Sequence, residues 1–253
     1  MKISSQVVLV TGGSRGLGKE TVKAFAREGA KVVINYFSSA KKAKELEELI
    51  GKNALAIKAD VRNLDEVGNM FQAAKEYFGH PVTTIVNNAL VNFRFDPDEK
   101  KDASQIKWQD YQTQLEGSIK GSLNTLHAGL SSMKETGFGR VINIGTNLVQ
   151  NPVVPYHDYT TSKAALLGFT RNMAQELGPY GITVNMISGG LLKSTDASSA
   201  TSEEVFKLIE ASTPLRKVTH PSEVADTVCF FASPWSRAVT GQNLVVDGGL
   251  VMN

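Results

Sequence analysis

A tyrosine and a lysine stand four residues apart in the stretch DYTTSK, as Tyr159 and Lys163. In a helix this spacing places both side chains on one face, one turn apart. A solvated polar face would show the same pattern. A phenol beside an ammonium is also a proton donor of adjustable acidity, because a nearby positive charge lowers the phenol's pKa from about 10. The pair is therefore a candidate acid catalyst.

A second stretch with chemical potential is TGGSRGLG, Thr11 to Gly18, which comes after an apolar run and opens a helical pattern. Its glycines permit a tight turn and let backbone N–H groups approach a ligand closely. A helix N-terminus behind such a turn favours an anion such as a pyrophosphate. The spacing of Gly12, Gly16 and Gly18 differs from the G-x-G-x-x-G fingerprint, so a glycine-rich turn without a ligand is the alternative.

The residues after the second apolar run indicate the type of dinucleotide. NAD-binding folds usually place an acid there, which binds the ribose 2′-OH. Here residues 35–42 read NYFSSAKK and contain no acid. Arg15 and Ser38 can instead bind a 2′-phosphate, which needs cations and hydroxyls, and we assign Lys42 to a solvated helix face. We therefore predict NADP(H). Asp60 has two interpretations, an acceptor for the adenine amino group or a helix cap.

The elements that position these residues can be read from the order of apolar runs. Seven runs have the composition of strands buried on both faces: QVVLVTG, KVVINY, ALAIKAD, TTIVNN, RVINIGT, ITVNMIS and NLVVDGG. Amphipathic stretches lie between them. One is capped by Ser38 or Ser39 and stopped by Gly51, and the next is capped by Asn63 and stopped by Gly79. We predict a single α/β domain over residues 1–253, a doubly wound parallel sheet of seven strands with helices on both faces.

Composition narrows the class of protein. The chain has 253 residues, with 27 basic and 25 acidic side chains and a net charge of +2. It therefore lacks the excess of basic residues that is typical of nucleic-acid-binding proteins. The single cysteine, Cys229, excludes an intramolecular disulfide and fits a reducing compartment. No apolar run has the length of a membrane span or a signal peptide. We expect a cytoplasmic protein with no metal, membrane or nucleic-acid partner.

Two long connections interrupt the alternation, residues 92–107 and residues 191–212. Long connections in compact domains are often functional. Both leave the carboxyl ends of predicted strands, where open α/β sheets bind their ligands. We predict that residues 191–212 form a lid over the substrate.

These motifs together resemble the short-chain dehydrogenase/reductase family, in the branch of the 3-oxoacyl-acyl-carrier-protein reductases. The resemblance rests on the glycine stretch, on NNA at Asn87 to Ala89, on Tyr159 with Lys163, on Thr146 thirteen residues before the tyrosine, and on DGG at Asp247 to Gly249. It implies a Rossmann-like fold, a nicotinamide cofactor and hydride transfer between a carbonyl and an alcohol. It also implies a homotetramer or homodimer.

The resemblance implies roles at the matching positions. Tyr159 would protonate the carbonyl oxygen, Lys163 would hold the nicotinamide ribose and Thr146 would orient the substrate, with Ser118 at the family's fourth catalytic position. The predicted cofactor contacts, besides Tyr159 and Lys163, are Gly12, Ser14, Arg15, Gly16, Leu17, Gly18, Asn35, Tyr36, Ser38, Asp60, Val61, Asn88, Ala89, Leu90, Gly189, Gly190 and Leu192. The predicted substrate contacts are Asn147, Gln150, Tyr156, Leu191 and Phe206.

The chain departs from the family pattern at several positions. Ser118 replaces an asparagine that helps hold a water in a proton relay, and Gly189 replaces a proline. Leu90 replaces a glycine, so either the loop differs or Leu90 forms an apolar wall beside the nicotinamide. Gly137 and Gln175 stand where arginines meet an acidic carrier in the acyl-carrier-protein reductases, which argues against that partner unless the neighbouring Lys134 and Arg171 substitute for them.

Two functions compete at this point. The leading prediction is an NADPH-dependent carbonyl reductase, reversible as an alcohol dehydrogenase, that acts on a medium-sized compound with an apolar part. The alternative is an NADP-binding sensor or scaffold with weak or no turnover, which Ser118 and Leu90 favour. The intact Thr146, Tyr159 and Lys163 favour the enzyme.

Overall fold

The computed structural model describes residues 1–96, 99–193 and 195–252. These residues contain a parallel sheet in the order β3-β2-β1-β4-β5-β6-β7. The strands are β1 Val7–Val10, β2 Lys31–Tyr36, β3 Ala54–Lys58, β4 Thr84–Asn87, β5 Gly139–Thr146, β6 Ile182–Gly189 and β7 Asn243–Val246. The strand order reverses between β1 and β4, and this switch point is where such sheets bind ligands. The predicted seven-stranded, Rossmann-like fold is confirmed.

Helices cover the sheet. They are α1 Gly16–Arg27, α2 Ala40–Ile50, α3 Leu64–Phe78, α4 Trp108–Leu115, α5 Gly121–Thr136, α6 His157–Leu177, α7 Glu203–Ser212 and α8 Pro221–Ala232, with a π-helical turn Glu116–Lys120 between α4 and α5. Short 3-10 turns occur at Ile3–Ser5, Asn147–Val149, Gly178–Tyr180 and Pro234–Ser236. No helix within the described ranges is long and apolar enough to cross a membrane.

The predicted helix boundaries depend on local capping chemistry. The Asn63 side chain accepts hydrogen bonds from two amides of the first turn of α3, and Gly79 ends that helix in a left-handed conformation. Gly51 ends α2, also with a positive φ of 78°. The asparagine cap and the glycine stops are therefore confirmed. Ser39 occupies the predicted cap position of α2, but its side chain makes no capping hydrogen bond with the described residues.

The core lies on both faces of the sheet because alternate residues of each strand point in opposite directions. On β1, Val8 and Val10 pack with α1 and α8, whereas Val7 and Leu9 pack with α3 and α5. Cys229 is buried in the first of these clusters, and burial raises the pKa of its thiol to about 12. Its role is packing, since a neutral buried thiol is a poor nucleophile.

Candidate active site

The glycine loop joins β1 to α1 at the switch point of the sheet. Gly12 and Gly16 have φ values of 61° and 52°, a left-handed backbone that glycine adopts without strain. A Cβ atom at Gly18 would lie 2.2 Å from the Gly12 carbonyl oxygen, so a side chain cannot be accommodated there. Arg15 occupies the N-cap of α1, and among the described residues its side chain makes no capping bond. The loop thus offers the free amides of a helix N-terminus to an anionic group.

Two asparagines brace this loop. Asn35 on β2 accepts a hydrogen bond from the Gly12 amide at 3.2 Å and donates one to the Ala59 carbonyl at 3.0 Å. Asn88, after β4, donates to the Thr11 carbonyl at 2.9 Å and to that of Gly12 at 3.2 Å. Both are predicted cofactor contacts. Their side-chain amides bond within the protein and shape the loop that would hold the cofactor, and their contact with the cofactor stays a prediction.

Two cations converge at the adenosine end of the site. Arg15 Nη1 lies 3.3 Å, and Lys42 Nζ 3.1 Å, from the same carboxylate oxygen of Asp196, which belongs to the predicted lid. Lys42 lies on an exposed face of α2, with its side chain 55% exposed, and from there it reaches the same carboxylate as Arg15. Tyr36 ends β2 and is half-buried, and Ser38 is exposed in the connection to α2. This combination of cations and hydroxyls fits a 2′-phosphate.

The carboxylate of Asp60 forms a salt bridge with Arg62, two residues along the chain. Arg62 donates to its carboxylate from Nη2 at 2.7 Å and from Nε at 2.9 Å. These hydrogen bonds hold the pKa of Asp60 below its usual range. The capping alternative is wrong, since Asn63 caps α3.

The three principal catalytic candidates meet at the carboxyl end of β5. Thr146 ends that strand, and Tyr159 and Lys163 lie one turn apart on α6. All are buried, with exposed fractions of 3%, 5% and 4%. The Thr146 hydroxyl lies near enough to the Tyr159 phenol to lower its pKa. Lys163 Nζ donates to the Ile144 carbonyl at 2.8 Å, which fixes its position beneath the tyrosine.

Burial controls the acidity of both groups. It raises the pKa of Tyr159 to about 12, against a smaller lowering by the Thr146 hydroxyl. It lowers the pKa of Lys163 to about 8. A low-dielectric environment disfavours the charged form of each group. The sequence predicts that Lys163 lowers the phenol's pKa, but in this structure the effect of burial is larger and of opposite sign.

Aromatic side chains cover the tyrosine. The ring of Phe93 stacks on that of Tyr159, with centroids 4.3 Å apart and planes at 14°, and Phe95 meets Tyr159 edge-on at 5.3 Å. Tyr156 meets Phe93 edge-on at 5.4 Å, and Leu90 packs against the same cluster. Leu90 thus forms an apolar wall. Phe93 and Phe95 are not among the predicted site residues, and their only signal in the sequence is two phenylalanines two residues apart in an otherwise polar connection.

Ser118 lies in the π-helical turn and is buried. Its hydroxyl shares a hydrogen bond of 3.2 Å with that of Ser162, and its carbonyl accepts one of 2.6 Å from Ser122. A small cavity with room for about one water molecule separates this turn from Lys163. Its lining residues are Thr11, Val61, Asn87, Ala89, Gly117, Ser118, Gly121, Ser122, Lys163 and Leu166.

The predicted substrate contacts divide into two groups. Asn147 is buried, and its Nδ2 donates to the Asp247 carboxylate at 2.9 Å, which ties the end of β5 to the DGG turn. Gln150 Oε1 is buried and bonds to none of the described residues, which leaves it available as a polar anchor. Phe206 is buried on α7, and Leu191 is half-buried in the predicted lid. Ser194, within the predicted lid, lies outside the described residues.

The remaining predicted cofactor contacts lie around the same edge of the sheet. Ser14 is buried in the glycine loop, and Ala89 donates its amide to Thr11 Oγ1 at 3.0 Å. Leu17 and Leu192 pack against the core cluster of α1 and α8. Gly189 ends β6, and a Cβ atom on Gly190 would lie 2.9 Å from that of Asp247.

The fold and these groups define a dinucleotide-binding α/β protein with a buried tyrosine, lysine and threonine at the mouth of the sheet. A family model described as enoyl-(acyl carrier protein) reductase matches residues 12–251. The chain is 34% identical to a 3-oxoacyl-[acyl-carrier-protein] reductase of Synechocystis, over 99% of this chain and 98% of that protein. It is 30% identical to the corresponding FabG reductase of Vibrio cholerae, over 100% of both chains.

A solved structure agrees with these relatives. It is that of a blue fluorescent protein from a metagenomic library in complex with NADPH, with 32% identity, full coverage of both chains and a TM-score of 0.87. The chain belongs to the short-chain dehydrogenase/reductase family, as its motifs predicted.

Proposed function

We propose that this chain reduces a medium-sized carbonyl compound to an alcohol with NADPH, and that Tyr159 is the proton donor. As a member of its family, the chain is an NADP-dependent oxidoreductase that acts on carbonyl or hydroxyl groups. The observation that carries the proposal is the meeting of Tyr159, Lys163 and Thr146 in one buried site beside the glycine loop.

The chain binds NADP(H). The blue fluorescent protein that shares its fold holds NADPH. In this chain the glycine loop fits the pyrophosphate, and Arg15 and Lys42 fit the 2′-phosphate. When bound, the cofactor supplies the hydride that adds to the carbonyl carbon.

The protein's own groups then manage the proton. A pKa of about 12 keeps Tyr159 protonated at neutral pH, so it can donate to the carbonyl oxygen as negative charge develops there. Thr146 orients that oxygen through its hydroxyl. Lys163 is charged below about pH 8 and stabilises the phenolate that remains. The small cavity beside Lys163 and Ser118 provides a place for a water that returns the proton.

The surroundings of the tyrosine favour a substrate with an apolar part. Phe93, Phe95 and Tyr156 form an aromatic wall, and Gln150 Oε1 offers one polar anchor. Two relatives are named for a substrate held on acyl carrier protein. In this chain, however, Lys134 is engaged over the Tyr180 ring at 4.2 Å, and glycine stands at position 137 nearby. We therefore propose a free carbonyl compound.

The test is NADPH oxidation, followed by absorbance, against aliphatic and aromatic ketones, diketones, and 3-oxoacyl thioesters both free and on acyl carrier protein. We expect turnover of at least one free ketone by wild type and none by Tyr159→Phe. Turnover only of the carrier-bound thioester would contradict the substrate proposal. A wild type that binds NADPH yet is inert across the panel would support the binding protein, which the Ser122–Ser118 hydrogen bond favours because it occupies the carbonyl beside the cavity.

We also propose a homotetramer or homodimer that associates through β7. This strand forms one edge of the sheet. Leu244 on β7 is 41% exposed, and the nearby chain segments expose Trp235 and Met252. Light scattering after gel filtration should give a multiple of the 27.3 kDa chain mass, and Leu244→Glu should lower it. A monomeric wild type would contradict this proposal.

A further inference from the structure

The predicted lid places the carboxylate of Asp196 beside two cations, Arg15 and Lys42, at the proposed adenosine end of the site. Asp196 Oδ2 lies 3.1 Å from Lys42 Nζ on α2 and 3.3 Å from Arg15 Nη1 in the glycine loop. The two cations come from different elements and share one oxygen. The hydrogen bond from Lys42, together with the charge of Arg15, holds the pKa of Asp196 below its usual range. The carboxylate of Asp196 therefore occupies the position between Arg15 and Lys42 where an anionic ligand group would bind.

The turn that presents Asp196 also rests on the glycine loop. A Cβ atom on Gly16 would lie 3.6 Å from Thr195 Cβ, so the turn packs against the first residue of α1. Ser198 holds the turn together through a hydrogen bond of 2.7 Å with Thr195 and one of 2.8 Å to the Leu192 carbonyl. The turn 195–198 is thus a defined piece of structure that covers the phosphate end of the site.

We propose that Asp196 is an internal competitor for the 2′-phosphate of the cofactor, and that the 2′-phosphate displaces the lid turn by taking its place. The proposal rests on the NADP(H) dependence proposed above. Both ion pairs are about half exposed to solvent and are therefore weak. A 2′-phosphate carries more charge and more acceptor oxygens than a carboxylate, so it is the stronger partner for Arg15 and Lys42.

One backbone hydrogen bond couples the position of the turn to the aromatic side chains that cover Tyr159. The Ala197 carbonyl accepts a hydrogen bond of 3.0 Å from the Phe95 amide. Phe95 in turn packs edge-on against Tyr159 and Phe93, with Phe93 stacked on the phenol. When Asp196 leaves Arg15, the bond that holds Phe95 over the tyrosine is strained or broken. Recognition of the 2′-phosphate and opening of the aromatic cover then become one event.

Calorimetric titration with NADPH and with NADH tests the competition. Asp196→Asn keeps the size of the side chain and removes its charge. Removal of one nearby charge in a solvated site changes an affinity on the order of fivefold. We expect NADPH to bind about 3- to 10-fold more tightly to the variant, with a smaller change for NADH, which lacks the 2′-phosphate. Asp226→Asn is the matched control, because that exposed carboxylate pairs with Arg27, away from the site.

The outcomes separate this inference from the proposed function. A wild type that binds NADPH, with Asp196→Asn unchanged, weakened, or improved equally for both nucleotides, overturns the competition alone. A wild type that binds neither nucleotide overturns the NADP(H) dependence itself, and the inference with it. The Asp226→Asn control should match wild type for both nucleotides.

Hydrogen exchange tests the link to the tyrosine without turnover. In the absence of nucleotide, peptides that contain Phe95 and peptides that span residues 195–201 should exchange faster in Asp196→Asn than in wild type or Asp226→Asn. Unchanged exchange at Phe95, with faster exchange in the lid turn, would show that the two are not coupled and would overturn that link.

Discussion

Lys163 Nζ lies 5.7 Å from the centroid of the Tyr159 ring, with both side chains buried in one pocket. Burial favours the neutral form of each group. It therefore lowers the pKa of the lysine to about 8 and raises the pKa of the tyrosine to about 12. At neutral pH the site therefore holds a protonated phenol above a buried ammonium. The acid is ready to donate, and the charge that stabilises the resulting phenolate is already in place.

The buried ammonium should lower the stability of the protein at neutral pH. The pKa of Lys163 is about 8 when folded and 10.5 as an ordinary lysine, so the folded state binds fewer protons between these values. Its contribution to the free energy of unfolding therefore rises as pH increases from about 8 to 10.5. Relative to Lys163→Met, which has no ionisable group there, wild type should gain on the order of 3 kcal/mol between neutral pH and about pH 10.5.

Urea unfolding of both proteins across this pH range measures the effect. Lys41→Met removes a lysine whose side chain is 91% exposed and should unfold in parallel with wild type at every pH. A constant difference between Lys163→Met and wild type would mean that Lys163 keeps an ordinary pKa in the folded protein.

Arg15→Ala should weaken NADPH binding more than NADH binding. The guanidinium would make a charge-assisted contact that only the 2′-phosphate can use, and loss of one such contact corresponds to roughly 10-fold or more in affinity. Calorimetry with both nucleotides gives the comparison. Arg27→Ala, at the far end of α1, is the control and should leave both affinities unchanged. Equal affinity of wild type for NADH and NADPH would contradict the assignment of the site.

Ser118 should support turnover although it replaces an amide. Its hydroxyl is bound to Ser162 and its carbonyl to Ser122, and the water-sized cavity lies beside both. We expect Ser118→Asn to turn over at a similar or modestly higher rate than wild type. Ser118→Ala should lower turnover less than Tyr159→Phe does. Steady-state rates with saturating NADPH and one accepted ketone provide the measurement.

Ser122→Ala is the companion variant for that experiment, since it frees the Ser118 carbonyl for water and should not reduce turnover. An inert wild type together with an active Ser118→Asn would show that the proton relay is broken in this chain. The binding-protein alternative would then replace the enzyme.

Local patterns were sufficient to predict the sheet and the placement of Tyr159 and Lys163 on one helix. The strands are apolar runs buried on both faces, and Tyr159 and Lys163 are fixed by a four-residue helical spacing. Contacts between residues far apart along the chain could not be predicted in this way. Asn147 is a predicted substrate contact, but its amide bonds Asp247, 100 residues away. Arg15 meets Asp196 across 181 residues, a contact that no local periodicity encodes.

The aromatic cover shows the same limit. Phe93 and Phe95 lie in a polar connection and reach Tyr159 only because that connection folds back over α6. Asn35 shows a related limit of sequence-based prediction. It is a polar residue near the end of β2, where a ligand contact is expected. Only the tertiary structure reveals that Gly12 and Ala59 already use both ends of its amide.

The Tyr159→Phe variant tests the proton donor most directly. The phenyl ring preserves the stack with Phe93 and removes only the hydroxyl. We expect the rate of NADPH oxidation with an accepted ketone to fall by about 10²- to 10⁴-fold, while the affinity for NADPH stays nearly unchanged. Tyr180→Phe, at an exposed tyrosine, should behave as wild type. A Tyr159→Phe protein that retains most of the wild-type turnover would contradict the assignment of Tyr159 as the acid.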